Sequence, residues 1–517
     1  MKPLHYEVIA LSTFLVACAG QSALVLQIGQ NYAGAATALP LPDGGLAVST
    51  NHVVQLIDGR FSVFSKSAGT LLKTMTAGAF WTNAGVAMPP GVFGASPRVL
   101  FDLDSQRWVA AMVDVPANEL SNRFLLAITA TDDPTGPWRG LAFVADSING
   151  YFADSPALGM DTNGVYLAAD MFDGNDTAVG ATLVSIPKSG MVANLPSIEG
   201  RTSFGLLSYN SYGAILQPAV TVGTPSSAEF VLSVGDLGYD FAPHSNLVAV
   251  AIQNAAAPGG ALLDNPADIS VPAYSVPLDA SQPGAPDNIQ DDDARISATV
   301  YRVGDSVYAT HSIETDNRAA VQWFKIDALN RNVLDAGIIT DPVLDLYYPS
   351  IAANKDGVVV LVFNGSSLSN FISSYAMLGE PINGRLQFGS KVLLKQGVAS
   401  YRTNLTSNPW GNYSAVVPDP ADPTHFWALT MFASGPTSWG TQISEIIAAP
   451  LELSVFLMGT NIQVAWPAGA IGYQLQFKQS LSATNWASIT QAPVIDNNQI
   501  RVSLETSGRS GFFRLIQ

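Results

Sequence analysis

The stretch Asp154-Ser155-Pro156-Ala157-Leu158-Gly159-Met160-Asp161-Thr162-Asn163-Gly164-Val165-Tyr166-Leu167-Ala168-Ala169 decides the fold. An apolar run that opens on Ser-Pro reaches an Asn-Gly turn, and a second apolar run follows it. Asn and Gly tolerate the positive φ that a tight hairpin needs, so the segment predicts two antiparallel strands. The same plan returns along the chain. Ser96-Pro97-Arg98-Val99-Leu100-Phe101-Asp102 leads to Trp108-Val109-Ala110-Ala111-Met112. Tyr348-Pro349-Ser350-Ile351-Ala352 leads through Lys355-Asp356-Gly357 to the apolar run 358–363. Asn412-Tyr413-Ser414-Ala415-Val416-Val417 leads to Phe426-Trp427-Ala428-Leu429. Weaker copies begin near Gly45, Pro218 and Arg295.

Each hairpin is followed by a third apolar run, at 61–64, 125–129, 182–186, 248–252, 321–326, 371–375 and 442–446. The landmarks fall at 45, 97, 156, 218, 295, 349 and 411, so the step is 52 to 77 residues. Seven tandem units of three clear strands, with room for a fourth, predict a β-propeller. One such sheet is apolar on both faces. A closed ring of neighbours buries both and leaves short outer edges. Steps longer than a blade of about 40–50 residues imply long loops between strands. The last unit ends near Ala449, and residues 24–28 (LVLQI) are expected to supply its missing strand. The competing architecture is a pair of unrelated β-sandwiches. Residues 254–293, rich in Ala, Pro, Asp and Gly, depart from the pattern. They read as an outer strand at 269–276 and then a long excursion over one face.

The fold class expected is therefore all-β, a seven-bladed β-propeller over 24–449 followed by a small β-sandwich over 450–517. The second part alternates cleanly at 462–467, 473–477 and 500–504. About six short strands in fewer than 70 residues suggest a fibronectin-III-like module.

The chain begins with a short polar head and a ten-residue apolar run, 8–17 (VIALSTFLVA), the pattern of an export signal over 1–19. Ala17-Cys18-Ala19 fits a peptidase site that frees a soluble protein. Leu15-Val16-Ala17-Cys18 equally fits a lipobox with lipidation at Cys18, the single Cys of the sequence. A secreted protein and a bacterial cell-envelope lipoprotein both remain open. No other apolar run reaches the roughly 18 residues a membrane helix needs.

Composition removes several functions. Of 517 residues only 13% are charged, with 24 Lys+Arg against 41 Asp+Glu, a net charge of −17. An acidic chain without a basic cluster is a poor partner for nucleic acid or other polyanions. One Cys forbids an internal disulfide and a Cys-based zinc cluster. There is no Walker loop, dinucleotide-binding Gly fingerprint, G-x-S-x-G elbow or H-E-x-x-H. The five His are scattered.

A propeller brings the first residues of its inner strands to one rim. Arg98, Asp154, Asp293, Arg295, Tyr348, Trp410, Asn412 and Tyr413 fall there, a mixture of carboxylates, guanidiniums and aromatic rings suited to a glycan or peptide. Ion pairs that merely hold the ring are the competing reading. His311 lies on the following strand and deeper. Asp170, Asp173, Asn175 and Asp176 form an oxygen-rich loop that fits Ca²⁺, or a solvated turn.

Ser96 to Asp102, Thr131-Asp132-Asp133-Pro134-Thr135-Gly136-Pro137-Trp138, Asp154 to Gly159, Asp293-Ala294-Arg295-Ile296, Ala309-Thr310-His311-Ser312 and Trp410-Gly411-Asn412-Tyr413-Ser414 together resemble a group of exported bacterial β-propeller proteins of uncharacterised activity, distantly similar to the sialidase-type propellers. The resemblance covers residues 40–447. In that group the last motif reads Arg-Trp-Gly-Asp-Tyr-Ser, and here Pro409 and Asn412 replace the Arg and the Asp. Sialidase-like hydrolysis asks for an arginine cluster, an acid pair and a Tyr nucleophile. Only Arg98 and Arg295 fall at inner-strand starts, and no S-x-D-x-G-x-T-W box is present. The C-terminal module, with Trp486 and Phe512-Phe513-Arg514-Leu515, resembles the terminal domain of large secreted bacterial proteins.

Two functions follow from these residues. The first is a monomeric exported binding protein with an extracellular glycan or protein partner, without a cofactor unless Ca²⁺. The second is a polysaccharide-active hydrolase or lyase with carboxylates on rim loops.

Overall fold

The computed structural model describes residues 24–516 apart from 40–42, 117–120, 224–227, 236–241, 285–287, 292, 404, 406, 412–413, 459–460, 471–472, 481, 483, 497–498 and 506–510. The export segment with Cys18, and the pair Asn412 and Tyr413, lie outside the described residues. Residues 26–448 form one compact body, and the chain from Ala449 onward, with Leu24 and Val25, forms a second.

The first body forms six sheets among the described residues, five of four or five strands and one of nine, in which two four-stranded units are joined through Val220–Val222. Their innermost strands are Gly44–Val48, Phe93–Asp102, Phe152–Met160, Ala214–Pro218, Tyr301–Val303, Asp345–Ala353 and Ala415–Pro418. These strands touch in a cycle, the fourth reaching the fifth through its continuation Val220–Val222. Gly44–Val48 meets Phe93–Asp102 on one side and Ala415–Pro418 on the other, which is the ring of a β-propeller. The third strands fall on the third apolar runs of the sequence, for example Arg60–Ser65, Arg123–Thr129 and Arg318–Asp327.

The last sheet is closed by the first strand of the described chain. Leu24–Ala33 pairs with Ser438–Pro450 to complete four strands. The Gln30 amide donates to Glu445 Oε2 at 2.8 Å, and Ser444 Oγ meets Asn31 Oδ1 at 2.9 Å. The outer strand expected at 269–276 is Ala267–Tyr274, paired with His244–Gln253. The ring is not uniform. Val220–Val222 continues the fourth innermost strand and pairs in parallel with both Met160 and Tyr301–Val303, joining the third and fifth sheets.

The repeated Ser-Pro and Tyr-Pro landmarks have a common geometry. Each marks a β-bulge in an innermost strand, between Ala95 and Arg98, Asp154 and Ala157, and Tyr347 and Ser350. The fourth strand carries one between Ala214 and Gln217. The first bulged residue is left-handed each time, with φ of 54° at Ser96, 51° at Ser155, 49° at Ile215 and 46° at Tyr348. Non-glycine residues adopt this conformation only when their surroundings hold it. The preceding sheet does so at three of them. Asp58 Oδ1 accepts the Ser96 N–H at 3.0 Å, Asp170 Oδ1 the Ile215 N–H at 2.9 Å and Ser312 Oγ the Tyr348 N–H at 3.1 Å.

Apolar side chains fill the spaces between sheets. Between the first and second lie Val54, Phe61, Trp108 and Trp138, where Phe61 stacks on Phe80 at 4.5 Å. Phe80 and Trp81 belong to the helix Ala77–Ala84, which the strand periodicity does not announce. Thr76 caps its start, and Gly85 at φ 97° ends it.

In the second body, Ser454–Met458, Asn461–Pro467, Gln499–Glu505 and Val494–Asp496 form one antiparallel sheet. Ala487–Ser488, Gln474–Lys478 and Phe512–Ile516 form another. Val464, Trp466, Leu475, Ile500 and Val502 make its core.

Candidate functional site: the two ends of the axis

At the N-terminal ends of the innermost strands the described side chains are packed against one another. Arg98 is buried, donating from Nε to the Pro156 carbonyl at 2.8 Å and from Nη2 to the Ser297 carbonyl at 2.9 Å. Residues 279–284 and 288–291 run over the sixth and seventh sheets. Their Gln282 exchanges hydrogen bonds with the Tyr401 backbone, and the Ser281 amide donates to Asp345. Tyr348 and Trp410 lie buried beneath this cover. The Trp410 indole is 1% exposed, donates to Asn364 Oδ1 at 3.0 Å and meets the Tyr401 ring edge-on. These three side chains hold the ring together and do not face an open funnel.

Asp154, Asp293 and Arg295 do come together, with partners that sequence reasoning did not place there. Asp170 is the direct cross-strand neighbour of Asp154. Burial, the largest cause, raises its carboxyl to about 7 against the pull of Arg295, and Asp154 is raised by burial as well. Asp58 is pushed well up by burial and by the charge of Asp43 beside it. Arg295 holds Asp293 through two hydrogen bonds, at 2.8 and 3.1 Å. His311 lies deeper, its Nδ1 2.7 Å from the Ala294 carbonyl, and burial lowers its pKa. This end is an acidic cluster around one guanidinium that is already engaged.

The oxygen-rich loop is divided accordingly. Asp170 sits in the strand Gly164–Phe172 and is turned to the Ile215 amide. Asp173 stands in an exposed turn, where Oδ1 accepts the Asn175 and Thr177 amides and holds the carboxyl below its usual range. Among the described residues, no group of three or more His, Cys, Asp or Glu side chains is placed to hold a metal, so Asp170, Asp173 and Asp176 do not form a Ca²⁺ site together.

The opposite end holds a cavity. All seven units send residues into a single cavity of about 270 Å³ at the C-terminal ends of the innermost strands. Its wall is mainly apolar: Leu46, Leu100, Met160, Val220, Val222 and Val417. Its polar groups are mostly occupied. Lys188 Nζ lies 2.8 Å from Asp102 and 3.1 Å from Asp104, and Asp419 takes Lys66 and the Trp427 indole N–H. Asp161 closes one side, its Oδ1 taking the Tyr166 hydroxyl at 2.9 Å. A void of about 20 Å³, sharing Leu46, Leu100, Tyr301 and Val417 with the cavity, separates it from Arg98. Sequence reasoning missed this site because its wall is built of strand residues that read as core.

No protein-family model matches the chain, and no curated protein matches it in sequence. Solved structures similar to it include the Dos1 propeller, 10% identical with a TM-score of 0.36 over 78% of this chain and 77% of that one. An exo-1,5-α-L-arabinanase from a bovine ruminal metagenomic library is 12% identical, with a TM-score of 0.31 over 69% and 98%. The Penicillium chrysogenum α-L-arabinanase, solved with arabinobiose, is 8% identical, with a TM-score of 0.37 over 83% and 99%. At such scores the fold rests on the sheet order above. No helix among the described residues is long and apolar enough to cross a membrane.

Proposed function

We propose that this chain is an exported binding protein, a seven-bladed propeller with a fibronectin-III-like module. It seats an apolar side chain of a partner protein in the axial cavity. The observation that carries this reading is the convergence of all seven units on one cavity whose wall is mainly apolar and whose buried lysine, Lys188, is held in an ion pair. Sites with an apolar wall and a few placed polar groups suit amphipathic ligands, and about 270 Å³ lies just under the roughly 300–1,000 Å³ of drug-sized sites. An extended polysaccharide asks for a longer groove. The net charge of −17 turns anionic polymers away. The C-terminal module docks the protein to envelope or matrix, and the segment carrying Cys18 supplies export, with or without a lipid anchor.

A second reading has one observation in its favour, the Asp154 and Asp170 pair at the other end. Two adjacent carboxyls, one held near 7, are what acid–base cleavage of a glycoside uses. The burial of Asp170 and the engagement of Arg295 by Asp293 weigh against it.

A peptide-display selection and a glycan array, run beside turnover assays on polysaccharides with the recombinant chain, separate the two. Peptide binding without turnover supports the binding protein. Turnover that disappears in Asp154→Asn establishes the hydrolase and overturns it.

A further inference from the structure

The register at the centre of the joined third and fifth sheets sets three polar residues in a row. Met160 is the parallel partner of Val220, and Thr221 is the partner of Arg302. Side chains in register on neighbouring strands point to the same face, so Asp161, Thr221 and Arg302 share one. The Glu229 carboxyl lies near it, within reach of the charges of both Asp161 and Arg302, and Arg302 Nη1 donates to the carbonyl of the preceding residue, Ala228, at 2.7 Å.

The oxygens here lack well-placed partners. Glu229 is 1% exposed and neither carboxyl oxygen is in good hydrogen-bonding geometry; burial and the charge of Asp161 push its carboxyl well above the ordinary range, and the pull of Arg302 and of the Ala219 and Phe230 amides offsets this only in part. Asp161 is 4% exposed. Its Oδ1 takes the Asn163 and Gly164 amides and the Tyr166 hydroxyl, while Oδ2 takes nothing. Thr221 Oγ1 is likewise buried and unpartnered. Arg302, wholly buried, spends donors on the Gly304 and Ala228 carbonyls and on Asp305. Buried polar atoms in folded proteins nearly always have partners, and a cluster of acceptors without donors calls for an ion or a proton between them. Ionised together, Glu229 and Asp161 would leave net negative charge in a dry site beside an Arg302 that also serves Asp305, which is costly unless a cation or a proton compensates it.

We infer that Glu229, Asp161 Oδ2 and Thr221 Oγ1 hold a hard divalent cation of the Ca²⁺ class, reached through the axial cavity that Asp161 and Thr221 line. All the donor atoms are oxygens, as such an ion requires, and no thiol or imidazole is offered to a softer metal. The inference does not depend on the ligand proposed for the cavity. It also differs from a site at the Asp173 turn, which lies on a different loop.

The test uses the full chain stripped with EDTA. Ca²⁺ is titrated by calorimetry, and Tb³⁺ by luminescence sensitised through Tyr166, whose hydroxyl touches Asp161. One equivalent of Ca²⁺ is expected to bind and to raise the melting temperature by a few degrees at about 100-fold excess over Kd. Glu229→Gln and Thr221→Val weaken binding at least tenfold, and Asp173→Ala leaves it unchanged. Asp161 is kept because its other oxygen caps a turn. If Glu229→Gln fails to fold, Thr221→Val reads the same site. Three results overturn the inference: no Ca²⁺-dependent shift, binding lost in Asp173→Ala but retained in Glu229→Gln, or a wild-type chain that answers to acid but not to Ca²⁺, meaning a proton fills the gap.

Discussion

Arg98 of the second sheet donates to the main-chain carbonyl of Ser297 in the fifth, 199 residues away, at 2.9 Å. With its second bond to the Pro156 carbonyl in the third sheet, one guanidinium ties three units at the axis. Hydrogen bonds to a charged group are strong, and a buried carbonyl stripped of its donor costs more than the bond was worth. Arg98→Met is therefore expected to destabilise the protein by about 3 kcal/mol. Urea denaturation checks this, and a change below about 0.5 kcal/mol contradicts it.

Closure by Leu24–Ala33 makes a separate prediction. Deleting residues 24–32 strips the outer strand from the seventh sheet and exposes the edge of Ser438–Pro450. The melting temperature is expected to fall by roughly 10 °C or more. Asn31→Ala, which removes the contact with Ser444, lowers it by less. Calorimetry on both variants distinguishes closure from a mere contact.

Asp170 gives the stability a pH dependence of definite sign. Its carboxyl titrates near 7 in the folded chain and near 3.9 when unfolded. Between those values the native state binds the extra proton. The stabilisation is complete below about pH 4 and is lost as pH rises through 7. The full effect is roughly 4 kcal/mol at most. Asp170→Asn keeps an oxygen for the Ile215 amide and removes the titration. Melting temperatures from pH 4 to 8 should fall less steeply in the variant than in the wild type, with the variant the more stable at pH 8.

Lys188 looks like a reactive amine in a cavity but is expected to be structural. Its ammonium and Asp102 are both buried, 2.8 Å apart. Lys188→Met leaves a buried carboxylate alone and is expected to cost about 3–5 kcal/mol. Adding Asp102→Asn should recover part of it, because it removes the buried charge while the one amide oxygen still caps either the Asp104 or the Ser105 N–H. Chemical denaturation of the single and double variants reads this directly.

Much of the ring was legible in one dimension. Asn163-Gly164, Asp356-Gly357 and the Ser-Pro pairs are local signals, fixed by backbone sterics at the residue itself. The excursion after residue 276 was legible as a loop over one face, but where it lands was not, because Gln282 meets Tyr401 across 119 residues and no periodicity records it. Asp170 was grouped with Asp173 and Asp176 by nearness in sequence. The alternation Tyr166, Ala168, Asp170 within an apolar strand was the available signal that it faces inward instead. The cavity was hidden for the opposite reason. Leu46, Leu100 and Val220 look like core in sequence, and only the ends of seven strands meeting at one axis make them a wall.

The account stands or falls on the axial cavity as the ligand site. A peptide selected by display against the full chain should be titrated into wild type and into Val222→Trp, whose indole takes up much of the cavity. At least a tenfold loss of affinity, with the melting temperature unchanged, is the predicted result. Equal affinity in the two proteins would place the ligand elsewhere and contradict the account.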